Sequence, residues 1–141
     1  MIDKAIYTHV NTDLTPPAPV FFGSLPLGST LTKYIVMYKI TDPERPETLC
    51  VQQGDTGRAL FQFSGYAGAG GGAANPMETV DLLQDLKDQI AEYTIGTIGV
   101  TPDDYRIWNN ITTGVRLLGE GLSTEGVWGA FFESTLWWEK I

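Results

Sequence analysis

The sequence is poor in the residues that do chemistry: it has one histidine, one cysteine and no run of Lys or Arg. Each shortage closes off a class of protein. Cys50 alone cannot form an internal disulfide, so the fold does not rest on an oxidising compartment, and the residue reads as a small buried apolar side chain. One His and one Cys cannot assemble the usual zinc ligand sets. His9, the sole imidazole base, sits on an expected N-terminal helix with no oriented partner in sequence, and reads as structural. Nine Lys and Arg against seventeen Asp and Glu leave a net charge of -8 and a pI near 4.4, which argues against gripping nucleic-acid phosphates or an anionic membrane. No stretch approaches the roughly 18 apolar residues of a membrane helix. The opening Met1-Ile2-Asp3-Lys4 has neither a cationic nor an apolar leader region, so the expectation is a soluble protein made in a cytoplasm.

What is present fits one domain over residues 1–141. Ile2, Ile6 and Val10 step by four, with Asp3, Lys4 and Asn11 turned away, which predicts an amphipathic helix over 2–13. Residues 15–28 carry four prolines around Val20-Phe21-Phe22 and read as an extended connector. Tyr34 to Ile40 is rich in β-branched and aromatic residues and predicts a strand. A second strand is expected at 58–66, after a loop at 43–57. Leu83, Leu86, Ile90 and Tyr93 step by three and four, opposite Asp81, Gln84, Asp85, Asp88 and Glu92; this predicts a helix capped by Asn75, with Pro76 at N1 and Glu78 at N3. A turn at Thr101-Pro102-Asp103-Asp104 precedes a strand candidate at Tyr105 to Ile111. The last strand, Val127 to Glu139, puts Trp128, Phe132, Leu136 and Trp138 on one face and Phe131 and Trp137 on the other, beside Glu133 and Glu139. Aromatics on both faces call for cover on both, by a neighbouring subunit or by a partly unburied loop. The resulting fold class is α+β: a small, mostly antiparallel or mixed sheet of about four strands on two helices, in the order α-β-β-α-β-β.

Between strand and helix lies Ser64 to Met77, in which Gly68, Gly70 and Ala73 fit the G-x-G-x-x-A of a dinucleotide loop. Three features oppose that reading. Too little chain follows the helix for the remaining parallel strands, and the preceding strand alternates Leu60, Gln62, Ser64 with Phe61, Phe63, Gly65 as an antiparallel strand does. Gly70-Gly71-Gly72 is also looser than a tight strand-to-helix turn requires. Asp103-Asp104 and Gln53 to Gly57 read as turn chemistry, not as metal or ligand sites.

Three stretches in chain order carry a resemblance: "MIDKAIYTHV", "LPLGSTLTKYIVMYKI" at 25–40, and "STEGVWGAFFESTLWWEK" at 123–140. Together they resemble the tail completion or tail terminator (head-tail joining) proteins of long-tailed bacteriophages. In that family a Leu-Pro-x-Gly turn enters the first strand, matched by Leu25-Pro26-Leu27-Gly28, although the proline often found at the strand entrance is Thr32 here. The second strand often ends in an aromatic and Ala, as Tyr66-Ala67 do, with a glycine-rich insertion following in this chain. The closing turn and aromatic strand are matched by Thr124-Glu125-Gly126 and Trp128 to Trp138.

The resemblance implies a structural virion protein without catalytic residues, cofactor or metal. It would form a ring, hexameric in related phages, that ends the tail tube at its head-proximal end. Gene transfer agents and defective prophages carry similar proteins. Its partners would be copies of itself, the tail tube protein and a neck or head-completion protein, with DNA passing through unbound and no membrane involved. On this reading Trp128, Phe131, Trp137, Glu133 and Glu139 are candidate interface residues; Gly68, Gly70, Gly71 and Gly72 form a contact loop within a flexible segment at 65–75, flexible like that at 43–57; and Asp81, Asp85 and Asp88 face the lumen. The alternatives are another neck component, such as a head-closure or stopper protein, and a small nucleotide-binding enzyme using Gly68 to Ala73.

Overall fold

Ile2, Ile6 and Val10 are all buried along one side of α1 (Ile2–Thr12), as their spacing requires. The computed structural model describes residues 2–23, 33–41, 56–67, 76–100, 103–117 and 128–141. After α1 come β1 (Val20–Phe22), β2 (Lys33–Thr41), β3 (Thr56–Ala67), α2 (Pro76–Tyr93), β4 (Gly96–Val100), β5 (Asp103–Thr112), β6 (Arg116–Leu117) and β7 (Trp128–Lys140).

The protein is α+β, but the expected four strands and the order α-β-β-α-β-β are not what forms. Among the described residues there are two helices and a seven-stranded mixed sheet in the spatial order β1-β2-β3-β7-β5-β4, with β6 also paired to β7. Only β1 and β2 run parallel; the other pairs are antiparallel. The supposed connector supplies β1, because Val20, Phe21 and Phe22 find partners in Ile35, Val36 and Met37. Gly96 to Val100, to which the sequence pattern assigns no element, pairs along Asp103 to Ile107 as β4. Asp103 and Asp104 therefore open β5, with Asp103 paired to Val100 across the chain reversal between the two strands, and Gly57 and Gly65 to Ala67, expected in loops, belong to β3. Cys50, Asn75, Gly68, Gly70, Gly71, Gly72, Leu25 to Gly28 and Thr124 to Gly126 lie outside the described residues.

Both helices pack on one face of the sheet. α2 covers β3, β7 and β5, while α1 covers β4 and reaches β5 and β1. Leu83, Leu86 and Ile90 of α2 meet Phe61, Phe63, Phe132 and Leu136 in one continuous core that also takes in Ile6, Val10, Ile35 and Met37. Tyr93, expected on the same apolar stripe, is 57% exposed, and Leu82 and Thr79 are buried in addition to the expected set. Phe63 and Phe132 stack with centroids 5.1 Å apart at the centre of β3 and β7.

Polar links lock the layers. Asn110 of β5 donates from Nδ2 to the Ile90 carbonyl of α2 at 3.0 Å and accepts from Ser134 Oγ of β7 at 2.8 Å. Gln89 and the Thr15 backbone bond reciprocally at 2.7 and 2.8 Å, joining the segment after α1 to α2. Ion pairs Lys39–Asp3 and Lys33–Glu78 tie β2 to each helix.

Candidate functional site

The two sides of β7 divide its residues by parity. Ala130, Phe132, Ser134, Leu136 and Trp138 are buried on the face toward the helices, whereas Phe131, Glu133, Thr135, Trp137 and Glu139 are half-exposed on the face turned away from them. That second face brings four of the five predicted interface residues together; Trp128 begins β7, and its side chain lies outside the described set.

Register shows what surrounds them. Across β3 and β7, Arg58 opposes Trp137, Leu60 opposes Thr135, Gln62 opposes Glu133 and Ser64 opposes Phe131. On the other flank of β7, Arg106 opposes Glu139, Asn109 opposes Trp137 and Arg116 opposes Phe131. A bulge between Ile107 and Asn109 lets Trp108 swing onto this same face, where its ring lies 6.2 Å from that of Trp137. Trp108 is 57% and Ile111 55% exposed. Arg106 ion-pairs with Glu139. Three arginines and three large aromatics thus share one surface, a composition enriched in protein interfaces.

Toward β2 this face becomes a tyrosine and amide network. Gln62 Nε2 donates to Tyr38 Oη at 2.7 Å and to Ser64 Oγ at 2.9 Å. Tyr34 and Tyr66 stack at 5.1 Å. Burial raises the pKa of both phenols, and for Tyr66 the neighbouring Tyr38 and Tyr34 push in the same direction.

The remaining candidates are placed elsewhere. Asp81, Asp85 and Asp88 are exposed on the outer side of α2, together with Glu92. His9 is buried, with Nδ1 2.8 Å from Asp13 Oδ2 and Nε2 3.4 Å from Thr94 Oγ1; it ties the end of α1 to the residue after α2. A hollow lined by Asp3, Lys4, Tyr7 and Phe22 flanks α1.

Sequence reasoning missed Arg58, Arg106, Trp108, Ile111 and Arg116. For Arg58 the signal was available, since it continues the Leu60, Gln62, Ser64 parity outward. For Trp108 it was not, because the bulge resets the alternation.

No family model and no curated protein matches the chain. A solved structure that carries no functional description is similar to it at 11% identity, covering 99% of this chain and 93% of that one with a TM-score of 0.50. At that identity the likeness concerns the fold alone. Among the described residues no helix is long and apolar enough to cross a membrane.

Proposed function

We propose that this chain is a structural ring subunit of the tail-terminator type, which caps the head-proximal end of a tail tube and joins it to a neck component. The observation that carries the proposal is the sheet face away from the helices, where Trp108, Phe131 and Trp137 stand exposed or half-exposed among Arg58, Arg106 and Arg116. Scattered surface apolar residues need no explanation, whereas aromatics gathered with arginines on one face mark a contact surface. The motifs at 25–40 and 123–140 supply the family to which such a subunit would belong. In this function the self-contact builds the ring, and the tube and neck proteins bind its two rims.

The test is to add the purified chain to polymerising tail tube protein from the particle that encodes it. Growth arrest with the chain bound at one tube end is the expected result. Tubes that elongate unchanged would remove the terminator reading, and binding to the neck protein without any effect on tubes would favour a head-closure component.

A further inference from the structure

On the sheet face Arg106 is paired to Glu139, Glu133 lies between Phe131 and Trp137, and Arg58 and Arg116 stand at the two ends of that run; a stripe of carboxylates lies elsewhere on the same molecule. Asp81, Asp85, Asp88 and Glu92 recur at i, i+4, i+7 and i+11 along α2, and all four are exposed. At 1.5 Å per residue the stripe is about 16 Å long. Arg116 and Arg58 lie opposite Phe131 and Trp137 of β7, so they are separated along the strand by about 20 Å at 3.3 Å per residue. Neither arginine has an ion-pair partner among the described residues, while Arg106 beside them is paired to Glu139. α2 packs on the opposite side of the sheet, so no single molecule can bring its acidic stripe to its own arginine face.

Resting on the ring-subunit reading, we infer that the occupant of the sheet face is the α2 helix of a second copy, laid along β7 with Asp81, Asp85, Asp88 and Glu92 set against Arg58 and Arg116 and the helix body resting on Phe131 and Trp137. The two patches are different surfaces of one subunit, so the contact is head-to-tail. Such a contact propagates and closes into a ring when the rotation per step allows, whereas a sheet-to-sheet contact would stop at a twofold dimer. It also gives the carboxylates a role other than lining the lumen: they neutralise a neighbour's arginines. Like charges on two α2 stripes would disfavour a helix-to-helix pairing.

The experiment uses two full-length variants, R58E/R116E with a reversed sheet face and D85R/D88R with a reversed helix face, each checked for an unchanged circular dichroism spectrum and melting temperature. Sedimentation velocity should show the wild-type chain associating and each variant alone associating at least a hundredfold more weakly. An equimolar mixture should regain assembly beyond a dimer, because the unchanged helix of one variant meets the unchanged sheet face of the other, and the two reversed patches are again opposite in charge. A mixture that stays monomeric, a D85R/D88R variant that assembles like wild type, or a wild-type chain that does not self-associate overturns the inference. Rings that survive both variants would discard this contact while leaving the ring-subunit reading standing; that reading falls only with the tube-capping assay.

Discussion

Arg58 and Trp137 stand directly opposite each other on β3 and β7, on the sheet surface that neither helix covers. Arginine and tryptophan are among the residue types most enriched at the anchors of protein interfaces, and here the two occupy opposed positions on an open sheet face. Trp137 is only half-buried within the molecule, so its removal should act on association more than on folding. Trp137→Ala is expected to lower the melting temperature by no more than a few degrees and to abolish assembly, as read by thermal melts and light scattering on the same sample. Intact assembly with a collapsed melting temperature would make Trp137 a core residue instead.

One residue along the chain the parity reverses. Phe132 is fully buried and stacks on Phe63 at an interplanar angle of 13°. Phe132→Ala should cost about 3–5 kcal/mol in urea unfolding, while Phe131→Ala should cost the isolated chain under about 1 kcal/mol. Similar losses at the two positions would mean that the second face is also core.

Much of this layout is legible in the sequence, and what is not has physical causes. The Ile2, Ile6, Val10 and Leu83, Leu86, Ile90 spacings define the buried sides of both helices, and the alternation through Phe131 to Trp138 sorts β7 into its two faces. β1 is not legible, because three residues in a proline-rich stretch become a strand only through non-local parallel pairing with β2. β4 is hidden by Gly96 and Gly99, whose φ values of +132° and +109° suit a turn; the ladder to β5 holds them in a strand. Of the candidate surface, the β7 residues are readable from parity, but Trp108 arrives through a bulge and Arg116 through a two-residue strand, neither of which local pattern announces.

Gly65 marks where α2 comes closest to β3. A Cβ there would sit 2.9 Å from Leu83 Cγ and 3.2 Å from Leu82 Cδ2. Gly65→Ala should therefore destabilise the chain by about 1–3 kcal/mol through overpacking. Combining it with Leu83→Val should cost less than the sum of the single changes, because the two residues share the crowded space. Additive costs in urea titrations would place the strain elsewhere.

The stacked phenols set an alkaline limit. Tyr34 and Tyr66 have pKa values raised above 10.0 in the fold, so the folded state holds their protons more tightly than the unfolded chain does. Their contribution is fully present below pH 10.0 and is lost as pH climbs from there through the folded values. Stability should fall with rising pH in that window, and Tyr34→Phe/Tyr66→Phe should flatten the slope. An unchanged slope in pH-dependent urea unfolding would assign the alkaline loss to other groups.

The most direct measurement is the mass and shape of the assembly, by light scattering and negative-stain imaging of the chain alone and with tail tubes. Closed rings of hexameric mass seated at tube ends, absent with Trp137→Ala, are the predicted result. A chain that remains monomeric in both conditions, with tube ends bare, would contradict it.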